Sequence, residues 1–169
     1  MTKTNQEKQT EKDMYPSIMK FLEGDEGYFV IKDEFGIRLP KKETEEIEYR
    51  RTDVFGCRWE KDGIRTVAVE AKLKPGRKAV ISGLPQALDY LLFFDEVYIA
   101  GTEDLPSEYE KIRRSLGIGF IKVKGEKAEF AKRAEQEKYK NNELYNEQVK
   151  PRGMMFLGFK DTMRPDKDE

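Results

Sequence analysis

Two neighbouring stretches carry the clearest strand pattern of apolar and polar positions. Residues 52–59 (TDVFGCRW) and 64–73 (IRTVAVEAKL) are rich in β-branched and aromatic side chains. They flank Glu60-Lys61-Asp62-Gly63, a turn signal, so the pattern predicts a β-hairpin. Upstream, Tyr15, Ile18, Met19 and Leu22 recur at helical spacing, which predicts an amphipathic helix over 11–22 with Pro16 in its first turn. Residues 27–31 (GYFVI) read as a first strand, and Glu43, Glu45, Glu46 and Glu48 as an acidic loop before the second. Downstream, 79–94 reads as a helix with a Leu84, Leu88, Leu91 and Leu92 stripe, and Pro85 is an early-turn residue or a kink. A short apolar strand follows at 96–100, then a helix at 107–116 with Gly117 as its C-cap, then a strand at 118–123. That is a β-α-β arrangement, and the fold class it predicts is α/β with a mixed central sheet flanked by helices. Residues 128–131 fit either a strand or the start of a helix, and 134–150 read as a polar helix.

The hairpin carries the candidate chemistry. Side chains alternate across a strand, so Glu70 and Lys72 project to one face. A Lys61-Asp62 loop would set Asp53 opposite Glu70, and an Asp62-Gly63 loop would set it opposite Lys72. Either register brings Asp53 to the face of Glu70 and Lys72 unless a bulge intervenes. Val67, Val69, Ala71 and Leu73 read as core, where ionised groups need a partner or a metal. Two readings stand. One is an ion pair on a solvated sheet face. The other is an oxygen-ligand site for Mg²⁺ or Mn²⁺, with a lysine to assist a bound water or neutralise a phosphate. The second suits phosphodiester hydrolysis. On the helix that follows, Gln86 and Tyr90 are four apart and share a face, as a polar helix edge or as groups that grip substrate.

Asp53, the Glu70-Ala71-Lys72 strand and the Gln86-Ala87-Leu88-Asp89-Tyr90 helix resemble the PD-(D/E)XK, or restriction-endonuclease-like, nuclease superfamily. The Q-x-x-x-Y helix motif is similar to that of RecB-type nucleases. The resemblance implies a core of helix, three-stranded antiparallel meander, crossover helix and further strand, here over residues 7–123. It implies Mg²⁺ or Mn²⁺ bound by Asp53, Glu70 and the Ala71 carbonyl, with Lys72 assisting the attacking water and Gln86 and Tyr90 supporting the site. It also suggests a further acid from the first helix, Glu11 ahead of Glu7, although Glu11 equally suits a helix N-terminus. Thr52 stands where the motif's name has Pro. The implied substrate is DNA, in repair, recombination or restriction, with a homodimer or a partner subunit as the assembly. A nucleic-acid-binding module without turnover and a non-catalytic subunit of a larger complex are the rival readings.

Composition narrows the chemistry further. The 169 residues include one cysteine, Cys57, and no histidine. Histidine-dependent triads, His-ligated zinc and Cys-ligated iron–sulfur clusters are therefore excluded, leaving carboxylates and lysine. The N-terminus has no hydrophobic signal core, and no apolar run is long enough to span a membrane, so a cytoplasmic protein is expected. Net charge is only −1, but residues 111–152 hold 12 Lys and Arg against 6 Glu. Arg113, Arg114, Lys122, Lys124, Lys127, Lys132, Arg133, Lys138 and Lys140 suggest a basic band or simply a solvated face. Lys74, Arg77 and Lys78, just past the Glu-x-Lys strand, are better placed to bind nucleic-acid phosphates. The organisation expected is a flexible 1–10, a nuclease-like domain over 11–150, and a 151–169 segment. In that last segment Met154 to Phe159 pack on the domain or on a second copy, and the tail is disordered.

Overall fold

The computed structural model describes residues 10–39, 48–61, 63–72, 77–135 and 138–162, with the backbone alone at 77–83 and 159–162. A 3-10 turn, Glu11–Met14, runs into α1 (Tyr15–Gly24). The turn is closed by the Thr10 amide donating to Asp13 Oδ2 at 2.6 Å. Pro16 sits in the first turn of α1, where its missing N–H is no loss, and Tyr15, Ile18 and Leu22 are buried.

Among the described residues eight strands follow: β1 (Phe29–Lys32), β2 (Gly36–Leu39), β3 (Glu48–Arg51), β4 (Val54–Glu60), β5 (Gly63–Ala71), β6 (Glu96–Gly101), β7 (Gly119–Lys124) and β8 (Lys127–Lys132). Two helices interrupt them, α2 (Arg77–Leu91) before β6 and α3 (Ser107–Leu116) before β7. Six strands make one sheet in the order β1-β4-β5-β6-β7-β8, and β2 pairs with β3 separately. The outer pairings are antiparallel, while β5-β6 and β6-β7 are parallel, as crossover helices require. The protein is therefore an α/β fold with a mixed central sheet flanked by helices.

Central β5 is buried from Thr66 to Ala71, so its core run is apolar on both faces rather than alternating. Val67, Val69 and Ala71 pack with Ile18 and Leu22 of α1. Ala68 faces the other way, with Phe55, Ala87 and Tyr90. That second face also takes the C-terminal segment. Asn141 caps a short turn, α4 (Asn142–Leu144), which passes through a π-turn (Tyr145–Val149) into α5 (Lys150–Thr162). A side chain on Gly153 would meet Ile64 Cδ1 at 2.7 Å, so the glycine lets α5 lie close on β5. Leu157 completes the same core, while Met154 and Met155 remain exposed.

Several elements differ from the sequence pattern. The β2–β3 hairpin lies in a stretch that reads as polar loop, and Glu48 belongs to β3; Glu43, Glu45 and Glu46 fall outside the described residues. Residues 128–131 lie in β8. The start of the 134–150 segment is not helical, because tertiary partners hold it. The Glu135 amide donates to the Gly117 carbonyl at 2.9 Å, the Asn141 amide to the Leu92 carbonyl at 2.8 Å, and Lys140 Nζ to Asp95 Oδ1 at 2.6 Å. The residues of the suggested basic band divide: Arg114, Lys124, Lys127 and Lys132 are exposed, while others are held by partners. Arg113 is buried on Glu110 and the Ile118 carbonyl, Lys122 pairs with Asp104, Arg133 with Glu26, and Lys138 with Glu135.

Candidate active site

The site forms at the C-terminal end of β5, where three elements converge. Glu60 pairs with Gly63, which is the register that directs Asp53 toward Glu70. The ladder ends at Val54 and Val69, so Asp53 sits in the bend just beyond it. There its Oδ2 accepts the Ala71 amide at 2.7 Å. The carboxylate also accepts the Tyr15 hydroxyl from the start of α1. Glu70 faces α2, and its Oε2 lies 3.1 Å from the Tyr90 hydroxyl. Tyr90 simultaneously reaches the Arg51 carbonyl at 2.9 Å, which ties the end of β3 to the site. Lys72 Nζ lies 3.5 Å from Glu70 Oε1 and 3.9 Å from Glu11 Oε1.

Burial sets the electrostatics. Glu70 is 4% exposed, and desolvation, reinforced by the Asp53 charge, pushes its carboxyl up to about 7 despite the opposing Lys72. Asp53 is raised as well, first by desolvation, with the Ala71 amide and the Tyr15 hydroxyl pulling the other way. The Tyr15 and Tyr90 hydroxyls are driven upward by burial and by these same carboxylates, so both remain protonated donors. Two carboxyl groups are thus held together with one ammonium to offset them. An open cleft of about 570 Å³, lined by Glu11, Lys12, Tyr15, Asp33 and Asp53 among others, reaches the Asp53 side of this corner.

The fold has a counterpart among solved structures. The chain is similar to the SPO1766 protein of unknown function from Silicibacter pomeroyi, with 16% identity, a TM-score of 0.52, and coverage of 96% of this chain and 99% of that one. At that identity the likeness is one of fold alone. No protein-family model matches the chain. No curated protein matches it.

The remaining site expectations divide clearly. Glu11 joins the cluster through Lys72, and among the described residues no group of three or more Asp, Glu, Cys or His side chains is arranged to hold a metal. Gln86 lies half-buried one turn before Tyr90, and its Oε1 is buried without a hydrogen-bond partner among the described residues. Lys74 lies outside the described residues; Arg77 and Lys78 open α2, with only their backbone described.

Two contributors are invisible to local sequence reasoning. Tyr15 reads as a core position of an amphipathic helix, yet its hydroxyl serves Asp53. Asp33, at a positive φ of 54°, donates its amide to the Asp53 carbonyl at 3.0 Å and pairs with Lys12 at 3.4 Å. Aspartate tolerates that left-handed backbone better than most residues, which is the only local trace of its role.

Proposed function

We propose that this protein is a metal-dependent nuclease that hydrolyses phosphodiester bonds in DNA. The observation that carries the reading is the meeting of Asp53, Glu70 and Lys72 at the C-terminal end of β5, beside a helix whose Tyr90 bonds Glu70. The order α1, β1, β4, β5, α2, β6 is also the core order of the restriction-endonuclease-like family.

The donor set suits Mg²⁺ or Mn²⁺. Such ions take one or two carboxylates and keep their other positions for water and phosphate oxygens. Asp53 and Glu70 would hold the ion, whose charge would offset the burial that raises both carboxyls. When bound, the ion supplies Lewis acidity and a favourable place for the charge that grows on phosphate.

The chain's own groups supply the rest. Lys72 is positioned to hydrogen-bond the attacking water or a phosphate oxygen, with Glu70 and Glu11 steadying its ammonium. Tyr90 fixes the Glu70 carboxyl, and Tyr15 with the Ala71 amide fixes Asp53. The water oxygen bonds to phosphorus, the bond to the leaving deoxyribose oxygen breaks, the water's proton passes to solvent, and the leaving oxygen takes a proton from solvent. Incubation of labelled DNA with the protein and Mg²⁺ or Mn²⁺ tests the reading; metal-dependent shortening that Asp53→Asn abolishes is the expected result. DNA binding without any cutting would favour a binding module instead.

A further inference from the structure

The β2–β3 hairpin has one face turned to α2 and one turned outward. Ile37 and Arg50 are directly paired; Ile37 is buried, and Arg50 Nε reaches Asp89 of α2 at 3.1 Å. Alternation therefore sends Arg38, Tyr49 and Arg51 to the outer face. Arg38 and Tyr49 are also directly paired, so they stand side by side. Tyr49 is 63% exposed, the highest value among the large apolar side chains of the described residues. An aromatic ring left in water beside a guanidinium suits stacking of a flat, anionic partner.

The hairpin is anchored to the active site at its base. The Thr52 amide donates to the Phe35 carbonyl at 3.0 Å, the Asp33 amide to the Asp53 carbonyl at 3.0 Å, and Tyr90 binds the Arg51 carbonyl. Tyr49 lies four residues before Asp53, about 13 Å along an extended strand. Arg51 falls between them, exposed and with no ion pair among the described residues. A cleft of about 460 Å³ opens beside Arg38 and Tyr49, with Arg152 also on its wall. Arg152 holds the hairpin's flank by donating to the Gly36 carbonyl and stacking its guanidinium 3.9 Å from the Phe35 ring centre. Glu147 approaches Arg38 at 3.7 Å; both side chains are about half exposed, so the pair is weak and open to competition from phosphate.

We propose that the outer face of β2–β3 is a binding platform for single-stranded DNA, with Tyr49 stacking a base and Arg51 and Arg38 holding the phosphates that lead into the Asp53–Glu70 corner. The proposal rests on the nuclease reading and narrows it to a single strand or a frayed end. Stacking on an aromatic ring needs an unpaired base, which an intact duplex does not offer.

The test is fluorescence anisotropy of a labelled oligothymidine and of a blunt duplex in EDTA, where no cleavage is required. Tyr49→Ala should weaken single-strand binding by about ten-fold, the order expected for one lost stacking contact. Tyr49→Phe should bind like wild type, Arg51→Gln should weaken binding and flatten its salt dependence, and duplex binding should barely respond to Tyr49. Thermal melts confirm that each exposed-site variant folds. Single-strand binding that ignores Tyr49→Ala, or that falls equally for duplex, overturns the platform even if metal-dependent cleavage is intact. Platform-dependent binding by a protein that never cuts leaves the platform standing and removes the nuclease.

Discussion

The Tyr90 hydroxyl stands 3.1 Å from Glu70 Oε2 and 2.9 Å from the Arg51 carbonyl. One hydroxyl proton cannot serve both acceptors fully. The hydroxyl is shared between them, and its bond to Glu70 opposes the upward shift that burial gives that carboxyl. Replacing Tyr90 by Phe removes both bonds and leaves a carbonyl unpaired. The variant should lose about 1–3 kcal/mol of stability, read by urea denaturation, and cut DNA more slowly. Unchanged stability would mean that the hydroxyl does not join β3 to the site.

Glu70 should make the metal-free protein less stable as pH rises. Its carboxyl is raised from 4.5 in the unfolded chain to about 7 in the fold, so the native state holds a proton that the unfolded chain releases. The contribution is complete below pH 4.5 and is lost as pH climbs through 7; the full swing is about 3 kcal/mol. Denaturation in EDTA at pH 5 and pH 8 should show the loss, and Glu70→Gln should shrink it and be more stable than wild type at pH 8. An equal slope in Glu70→Gln would assign the effect to other groups.

Mn²⁺ or Mg²⁺ should raise the melting temperature, and more at pH 8 than at pH 6, because Glu70 must give up its proton to bind. An ion at 100 times its dissociation constant adds about 2.7 kcal/mol. Asp53→Asn should respond far less. A melting temperature indifferent to either ion at both pH values would speak for a scaffold or a binding module.

Gly119 offers a contrast away from the site. A side chain there would lie 2.2 Å from Tyr98 Cε1 and 2.6 Å from the Ala134 amide nitrogen. Gly119→Ala should lower stability by about 2 kcal/mol or more, because backbone cannot yield as a flexible side chain would. Cleavage per folded molecule should be unchanged; a selective loss of activity would link this end of the sheet to the chemistry.

The Asp53–Glu70–Lys72 meeting was legible because a hairpin turns sequence distance into spatial opposition. Glu60 and Gly63 adopt one of the two registers compatible with the turn. The parallel strands were legible for a similar reason, since β-branched runs separated by helical spacing leave little choice of topology. The β2–β3 hairpin was not, because its inner face is so short and Arg50 takes an inward place only through Asp89, 39 residues on. The link from Tyr15 to Asp53 was hidden in the same way. A tyrosine at helical spacing reads as core, and its hydroxyl finds a partner only when α1 crosses the end of β5.

Lys72 touches Glu70 and Glu11 and bears most directly on the central claim. The decisive measurement is cleavage of labelled single-stranded, linear duplex and branched DNA with Mg²⁺ or Mn²⁺, comparing wild type with Lys72→Ala. Metal-dependent cutting by wild type, lost by at least a hundred-fold in the variant (about 2.7 kcal/mol of transition-state stabilisation), is the predicted result. No cutting of any substrate, with equal DNA binding by both proteins, would contradict it.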